Sequence, residues 1–259
     1  MIYTLGIDIG STTSKCVVLK DGKELIAKSL VQAGTGTQGP QKAYDEVLKI
    51  AGIQVEDIVF TLATGYGRTT FDAMDGEMSE LSCHAKGVFH MNPTARTIID
   101  IGGQDAKVIQ LNEKGMISNF MMNDKCAAGT GRFLDVMAQI LQLKVSELEN
   151  YAKKATEPVK ISSTCTVFAE SEVISQLSKG VDLTDLIAGI CNSVASRVAA
   201  LAKRVGVIEG VCMSGGVAQN GGVREALARE LDTEICYTED AQYMGALGAA
   251  IAAYEKYTS

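Results

Sequence analysis

The residues of this chain best suited to chemistry lie in two turns that share one pattern. Ile7-Asp8-Ile9-Gly10 recurs as Ile99-Asp100-Ile101-Gly102, and a lysine follows each aspartate at the same interval, as Lys15 and as Lys107. Glycine lets the backbone approach a ligand, and successive N–H groups in a tight turn bind anions. The aspartate can hold a hydrated Mg²⁺ ion, which keeps several of its waters. Two facing copies predict a clamp for a polyphosphate.

Polar side chains after the first turn supply further donors to a phosphate. They are the hydroxyl groups of Ser11, Thr12 and Thr13 and the ammonium group of Lys15. The alternative is that both copies are ordinary β-hairpins with glycine at the tip. The matched spacing of the two copies favours phosphate binding.

A third glycine-rich turn follows a long helix. Apolar residues recur at helical spacing from Leu183 to Val205, and a short apolar strand then runs into Gly215-Gly216. A strand, two glycines and a following helix are typical of a turn that faces a nucleotide. Near the end of the chain, Gly245, Gly248 and several alanines predict a helix with a smooth face that packs closely against its neighbours.

Two of the seven cysteines have unusual surroundings. Cys126 and Cys165 each precede a predicted amphipathic helix and lie among small and polar residues. A helix N-terminus favours an anionic thiolate and offers N–H groups to an anion such as an iron–sulfur cluster. Cys16, Cys191, Cys212 and Cys236 fall in apolar strand or helix patterns, where a buried thiol is expected, and Cys83 is ambiguous.

A cubane cluster needs four thiolates, and the chain offers two good candidates. The remaining ligands come either from the weaker cysteines or from a second chain, which would place one cluster on the axis of a homodimer. Two inert cysteines are the plainer alternative. The sequence holds no Cys-x-x-Cys, so it does not contain a self-contained ferredoxin motif or zinc knuckle.

The elements that must position these residues predict an α/β protein with two related lobes. Each copy of the repeat is typical of an antiparallel meander of three strands. We expect lobe I at residues 1–94 and lobe II, with the two cysteines, at residues 95–240. A C-terminal helix at about 241–258 is expected to pack back on lobe I.

Composition excludes several other classes. The net charge is −7 and no basic patch is present, which argues against a nucleic-acid partner. No charge-free run approaches the ~18 residues of a membrane span. The N-terminus has no basic segment before its apolar residues, and an odd number of cysteines argues against a disulfide framework. We therefore expect a cytoplasmic protein that binds neither nucleic acid nor membrane.

One literal dinucleotide motif is set aside. Gly34-Thr35-Gly36-Thr37-Gln38-Gly39 fits G-x-G-x-x-G, but the strand before it is predicted to be the third of a meander. A dinucleotide fingerprint requires the first strand of a βαβ unit. We interpret the segment as a glycine-rich strand–helix loop.

The three glycine turns resemble the two phosphate loops and the adenosine site of the actin, sugar-kinase and heat-shock-chaperone ATPase superfamily. Within it the chain closely resembles the ATP-dependent activators of (R)-2-hydroxyacyl-CoA dehydratases. The resembling segments are 4–15, 61–68, 100–105, 123–136, 161–180 and 214–220, and the two that hold Cys126 and Cys165 are the specific ones. The resemblance implies two ribonuclease-H-like lobes with a nucleotide cleft between them.

The resemblance also implies the activity and its components. It implies an ATPase that passes one low-potential electron from a [4Fe-4S] cluster, shared by a homodimer through Cys126 and Cys165, to a 2-hydroxyacyl-CoA dehydratase. Reduced ferredoxin or flavodoxin is the implied donor, and ATP or ADP binds with Mg²⁺.

Residue roles follow from the matched positions. Asp8 and Asp105 hold Mg²⁺ and position water, with Gln104 as a further candidate catalytic residue and Asp100 as a support. The phosphate contacts are assigned to Ser11, Thr12, Thr13, Ser14, Lys15, Gly102, Gly103 and Gln104. The rest of the nucleotide is assigned to Arg132, Gly215, Gly216, Gln219 and Gln242.

Three alternatives stay open. The ATPase subunit of a benzoyl-CoA reductase has similar motifs. A small-molecule kinase of the same superfamily would have no use for Cys126 and Cys165, and an actin-like structural protein would polymerise on ATP.

Overall fold

The computed structural model describes residues 1–162 and 165–259, which form two units. Unit 1 consists of Met1–Ala95, Leu111–Ser118 and Asp240–Ser259, and unit 2 consists of Arg96–Gln110 and Asn119–Glu239. Ser163 and Thr164, which precede Cys165, lie outside the described residues.

Ten strands and eight α-helices are present in the described part of the chain. The strands are β1 (Tyr3–Ile9), β2 (Ser14–Lys20), β3 (Glu24–Val31), β4 (Ile58–Thr64), β5 (Gly76–Glu77), β6 (Thr97–Ile101), β7 (Ala106–Leu111), β8 (Ile117–Asn123), β9 (Val211–Ser214) and β10 (Ile235–Cys236). The helices are α1 (Gly39–Ala51), α2 (Glu80–Met91), α3 (Gly131–Ile140), α4 (Val145–Ala152), α5 (Thr166–Ser178), α6 (Leu183–Val205), α7 (Gly221–Leu231) and α8 (Met244–Thr258).

The two sheets have the same strand order. One sheet runs β3-β2-β1-β4-β5 and the other runs β8-β7-β6-β9-β10. In each, the strand that carries the Asp-Gly motif is antiparallel to the next strand and parallel to a later one. The predicted α/β class with two related lobes is confirmed. β3 is antiparallel to β2, so the G-x-G-x-x-G segment follows a meander strand and not a βαβ strand.

Strand β1 explains how both faces of its sheet become covered. Leu5, Ile7 and Ile9 are fully buried in the cluster that includes residues of α1. On the other face, Thr4 donates a hydrogen bond to the carbonyl of Ala250 in α8 at 3.0 Å. A Cβ on Gly6 would overlap the backbone of α8, so glycine permits this close approach.

The C-terminal helix has the smooth face that its composition predicts. A Cβ on Gly248 would lie 2.6 Å from the carbonyl carbon of Cys83 in α2, which is closer than any real contact. Helix α8 also packs on β1 and β4, all within unit 1. The prediction of a closely packed Gly/Ala face is confirmed.

The observed units differ from the expected lobe boundaries in small ways. Ala95 and Asp240 belong to unit 1, and so does the excursion Leu111–Ser118. The turn of that excursion lies against α2, because a Cβ on Gly115 would meet the ring of Phe89.

Helix α6 is the long apolar helix of unit 2. By length and composition it could cross a membrane, but 67% of its most apolar window is buried inside the protein. That burial is typical of a core helix. Asp182 caps its start by accepting a 2.8 Å hydrogen bond from the Thr184 N–H, and Gly206 follows its last residue.

Candidate functional site

The first Asp-Gly turn joins β1 to β2 in unit 1. Asp8 and Lys15 are cross-strand partners, and the Lys15 ammonium donates to Asp8 Oδ2 at 2.9 Å. The Gly10 N–H donates to the Thr13 carbonyl at 2.9 Å, which closes the turn. Asp8 is only 5% exposed, so its carboxylate is held in one place by a buried ion pair.

The hydroxyl residues of the first turn are not equivalent in the structure. Ser11 and Thr12 are half-buried, and Thr13 is buried. Ser14 is fully buried, and its hydroxyl donates to the carbonyl of Ala33 at 2.7 Å. The Ser14 proton is therefore used inside unit 1, which separates this residue from the phosphate contacts expected of its neighbours.

The second turn joins β6 to β7 in unit 2 with the same geometry. Asp100 and Lys107 are cross-strand partners, and the Gly102 N–H donates to the Asp105 carbonyl at 2.9 Å. The Lys107 ammonium contacts Asp100 at 3.3 Å and also pairs with Asp105. Gly102 and Gly103 are half-buried and Gln104 is exposed at the tip.

The position of Asp105 distinguishes the two copies. Both Thr13 and Asp105 accept the hydrogen bond that closes the turn, so they are equivalent positions of the repeat. The second copy therefore has a buried carboxylate where the first has a hydroxyl group.

Helix α3 begins on the second turn. The Gly131 N–H donates to the Gly102 carbonyl at 2.9 Å, and the Arg132 N–H donates to the Gly103 carbonyl at 2.7 Å. The backbone of Arg132 is thereby fixed beside the second turn, while its side chain stays exposed. The structure brings the backbone of Arg132, which was assigned to the rest of the nucleotide, next to Gly102 and Gly103, which were assigned to the phosphates.

A glycine from the neighbouring parallel strand supports each aspartate. Gly65 follows β4 and Gly215 follows β9, with φ of +87° and +84°. A Cβ on Gly65 would lie 2.6 Å from Asp8 Oδ1, and one on Gly215 would lie 2.8 Å from Asp100 Oδ1. The residues before them, Thr64 and Ser214, are likewise equivalent, since they pair in register with Asp8 and Asp100.

No role was assigned from the sequence to Gly65, Thr64 or Ser214. The Ser214 hydroxyl donates to Asp100 Oδ1 at 2.9 Å, so it completes the second aspartate site. A signal was available, because Thr64-Gly65 and Ser214-Gly215 both place a hydroxyl residue before a glycine at a strand end.

Substitution of Gly215 by alanine is expected to destabilise the protein. The positive φ costs about 1–3 kcal/mol for a residue with a Cβ, and the overlaps of that Cβ with the Ile101 carbonyl oxygen and with Asp100 Oδ1 (2.8 Å) add to it. Gly180→Ala is the control for positive φ in open space, because Gly180 has φ of +74° and nothing near its Cβ position. Chemical denaturation of both variants measures the difference, and equal losses of stability would show that close packing of Gly215 against Ile101 and Asp100 has no effect.

The third glycine turn supports a small polar cluster within unit 2. The Tyr237 hydroxyl donates to Gln219 Oε1 at 2.5 Å, and Gln219 Nε2 donates to the Glu239 carbonyl at 3.0 Å. The Arg224 guanidinium lies 3.9 Å from the centroid of the Tyr237 ring. Gly216 is half-buried at the start of this turn, and Gln242 lies in unit 1 just before α8.

All seven cysteines lie in the described part of the chain and are free. Cys126 and Cys165 are half-buried, whereas Cys16, Cys83, Cys191 and Cys212 are buried. Burial raises the pKa of the Cys83 and Cys191 thiols to about 12 and that of Cys16 further. Cys16, Cys83 and Cys191 are therefore poor sources of thiolate.

Cys236 corrects one expectation. Its apolar strand pattern predicted burial, but the side chain is exposed. Its strand β10 has two residues and lies at the edge of the sheet, so one side of the strand has no neighbour in that sheet.

The two candidate ligands each precede a helix, and these two helices, α3 and α5, pack together in unit 2. Cys165 is the N-cap residue of α5, and Cys126 lies in the loop between β8 and α3. The Asn123 side-chain amide donates to the Cys126 carbonyl at 2.9 Å, which orders this loop. Among the described residues, no group of three or more His, Cys, Asp or Glu side chains forms a metal site within one chain.

The residues that follow Cys165 on α5 combine a buried hydroxyl group with large exposed apolar side chains. Thr166 Oγ1 is buried and has no hydrogen-bond partner among the residues the structure describes. Val167 and Phe168 follow on α5 with 65% and 66% of their surface exposed. Large apolar side chains in solvent are typical of a surface that another molecule covers, and the described residues supply no partner for the Thr166 hydroxyl beside it.

Nearly the whole chain is similar to known ATPases. Residues 5–253 match the BadF/BadG/BcrA/BcrD ATPase family. The chain is 63% identical to the (R)-2-hydroxyglutaryl-CoA dehydratase activating ATPase of Acidaminococcus fermentans over 98% of both chains. It is 56% identical to the activator of lactoyl-CoA dehydratase of Anaerotignum propionicum, again over 98% of both.

Solved structures of an activator and of a sugar kinase are similar to this chain. The activator of the 2-hydroxyisocaproyl-CoA dehydratase from Clostridium difficile, solved with bound ADPNP, matches with a TM-score of 0.97 at 52% identity, over 99% of this chain and 96% of that one. A ROK family glucokinase from Streptomyces griseus matches with a TM-score of 0.58 at 13% identity, over 98% and 99% of the two chains. The second match shows a shared fold alone.

Proposed function

Because the chain belongs to the BadF/BadG/BcrA/BcrD ATPase family, we propose that it is the ATP-hydrolysing activator of a 2-hydroxyacyl-CoA dehydratase. In this role it delivers one electron at low potential to the dehydratase. The observation that carries the proposal is that two half-buried cysteines accompany the two Asp-Lys turns. A small-molecule kinase needs the turns and has no use for the thiols.

The two turns supply the groups that ATP hydrolysis requires. Their glycine backbones bind phosphate oxygens, and Ser11, Thr12, Gln104 and the Arg132 side chain add donors that remain accessible. Phosphoryl transfer depends mainly on positioning and charge stabilisation, so rigid turns serve it well. The expected nucleotide cleft between the two units stays a prediction.

Mg²⁺ fits the donor set of these turns. Asp8 and Asp105 are carboxylates in glycine-rich turns, and Mg²⁺ prefers such oxygen ligands together with its own waters. When bound, such an ion would neutralise phosphate charge. Within its own unit, each carboxylate would hold the ion's waters or orient an attacking water, and Lys15 and Lys107 fix the two carboxylates for this role.

A [4Fe-4S] cluster fits Cys126 and Cys165. The cluster supplies storage for one electron at low potential, and four thiolates hold it. Each chain offers two half-buried thiols, and beside Cys165 lies the Thr166 hydroxyl, for which the described part of the chain supplies no hydrogen-bond partner. A second copy of the chain supplies the other two, and the exposed apolar side chains of α5 (Val167, Phe168, Ile174 and Leu177) form the surface that such a copy covers.

Within unit 2, a short path of contacts links the phosphate turn to Cys126. Gly102 and Gly103 hold the first residues of α3, and only residues 127–130 separate Cys126 from that helix. A change at the second turn on ATP hydrolysis therefore reaches the loop that holds the cluster. This path of contacts supports the proposed coupling of ATP hydrolysis to electron transfer.

The cluster stoichiometry follows from the shared site. Anaerobically purified protein is expected to hold about four irons per dimer, and exposure to air is expected to shift the dimer towards monomer as the cluster is lost. The cause is that the cluster binds only the assembled dimer. Iron analysis with sedimentation velocity measures both quantities, and four irons on an isolated monomer would contradict the shared site.

The proposed partners are a dehydratase with its own iron–sulfur centre and reduced ferredoxin or flavodoxin as donor. The similar relatives activate dehydratases of different acyl-CoA substrates, so the substrate of this partner is not specified by the likeness. The cytoplasmic location and the absence of nucleic-acid and membrane partners stay predictions.

Reconstitution tests the function directly. Reduced protein is mixed without oxygen with a purified 2-hydroxyacyl-CoA dehydratase, its acyl-CoA and Mg-ATP, and the enoyl-CoA is followed. Dehydration that needs ATP and a reductant is expected, and Mg-ADP is the control. Phosphate transfer to a sugar in place of release to water would identify a kinase, and ATP-driven filaments would identify an actin-like structural protein.

A further inference from the structure

A buried histidine of α2 lies beside the first aspartate. His84 is 6% exposed, and a Cβ built on Gly245 would lie 2.9 Å from both His84 Nε2 and Asp8 Oδ2. The imidazole and the carboxylate therefore border the same small space inside unit 1. Glycine at the start of α8 leaves that space open, since any side chain at position 245 would separate the two groups.

The neighbouring residue on α2 independently places this helix at the aspartate. Burial raises the pKa of the Cys83 thiol, a hydrogen bond with Thr64 opposes this, and the negative charge of Asp8 raises it further. Cys83 is therefore close to Thr64 and Asp8, the register partners at the ends of β4 and β1. The first turn of α2 meets the end of the strand that holds the candidate catalytic carboxylate.

The two copies of the turn hold their aspartates differently. Asp100 is held by two side chains, Lys107 and the hydroxyl of Ser214. Asp8 has the equivalent lysine, but the hydroxyl of Thr64, at the position equivalent to Ser214, donates to the Met78 carbonyl at 2.9 Å. Thr64 therefore does not give Asp8 the hydrogen bond that Ser214 gives Asp100.

We propose that His84 is a second support of Asp8: a positioning residue whose Nε2–H orients the Asp8 carboxylate for ATP hydrolysis. Lys15 holds the carboxylate from β2, and His84 holds it from α2. The inference rests on the proposed role of Asp8 in ATP turnover. In unit 2 the Ser214 hydroxyl donates the corresponding hydrogen bond to Asp100.

The test compares variants that keep or remove the donor at similar side-chain size. H84Q retains an amide N–H near the position of Nε2, whereas H84L retains bulk without a donor. Phosphate release measured against ATP concentration gives kcat and KM for the full dimer. The expected result is that H84L lowers kcat roughly 10- to 100-fold at nearly unchanged KM, and H84Q recovers most of the loss.

The chain contains a matched control on the same helix. His90 is the second of the two histidines and is exposed, so H90L is expected to behave as the unaltered protein. Equal kcat values for H84Q and H84L would overturn the proposal, including the case in which both are reduced by loss of packing. The D8N variant separates the role of Asp8 from the role of His84. Normal ATP turnover in D8N refutes the role of Asp8 itself. Loss of turnover in D8N together with normal turnover in H84L refutes only the role of His84.

Discussion

Serine at Cys126 or at Cys165 is expected to remove the iron–sulfur cluster completely. Each substitution takes one thiolate from each chain, so a dimer retains two of the four ligands that a cubane needs. The hydroxyl of serine is a weak ligand for iron at neutral pH and does not replace the thiolate. The loss is measured by the iron–sulfur absorbance at about 400 nm and by the iron content of anaerobically purified protein.

Two other cysteines of unit 2 provide matched controls. Cys236 is exposed, so Cys236→Ser tests whether any accessible thiol contributes. Cys212 is buried in β9, so Cys212→Ser tests whether a buried thiol does. Both variants are expected to keep their iron, and full cluster content in Cys126→Ser or Cys165→Ser would remove that residue from the ligand set.

Asparagine at Asp8 or at Asp105 is expected to lower ATP turnover more than ~100-fold while the cluster stays assembled. Each aspartate is a buried carboxylate fixed by a lysine in a glycine turn, and the amide loses the charge that holds Mg²⁺. The second turn holds the start of α3 through the backbone carbonyls of Gly102 and Gly103 and not through the Asp105 side chain, so we expect the cluster to stay assembled in both variants. Phosphate release and cluster absorbance are measured on the same samples.

Stability must be separated from catalysis in this experiment. Removal of one partner of a buried ion pair costs about 3–5 kcal/mol, and this cost is expected for Asp8→Asn because Lys15 loses its carboxylate partner. In Asp105→Asn the Lys107 ammonium keeps its contact with Asp100, so a smaller loss of stability is expected. Ser29→Ala serves as a destabilised control, since the buried Ser29 hydroxyl donates to Ala43 at 2.6 Å away from the turn. Normal turnover in both aspartate variants would show that the turns are structural hairpins.

The comparison of the two sites also suggests why they differ chemically. The second copy holds two carboxylates on one lysine, and the first holds one carboxylate on one lysine. Asp105 is thus the distinctive group of the repeat and the better candidate to position water, whereas Asp8 and Asp100 share a position. The duplicated fold therefore carries two unlike Asp-Gly turns.

Local features of the sequence were sufficient for much of this site. The Asp-Gly repeat, the lysine seven residues on and the apolar alternation predicted both hairpins, because a strand and its neighbour across a tight turn are specified by residues close in the chain. The same holds for the setting of Cys165 at a helix start. The Gly/Ala face of α8 was also evident from composition.

Other features depended on contacts between segments far apart in the chain. The parallel pairing of β1 with β4 and of β6 with β9 brings Thr64-Gly65 and Ser214-Gly215 to the aspartates, and no short-range pattern encodes that register. The exposure of Cys236 was decided by the edge position of β10. The burial of Ser14 was decided by the carbonyl of Ala33 beyond the next strand.

The sequence by itself determined the two turns, the α/β class and the choice of Cys126 and Cys165, because each is carried by residue types at short spacing. Only the tertiary structure decided what surrounds them. His84 and Asp8 border the same space because α2 and α8 pack together, and α3, which follows the Cys126 loop, begins on the second turn. Such contacts arise from packing, in which burial of apolar faces sets the neighbours of each polar group.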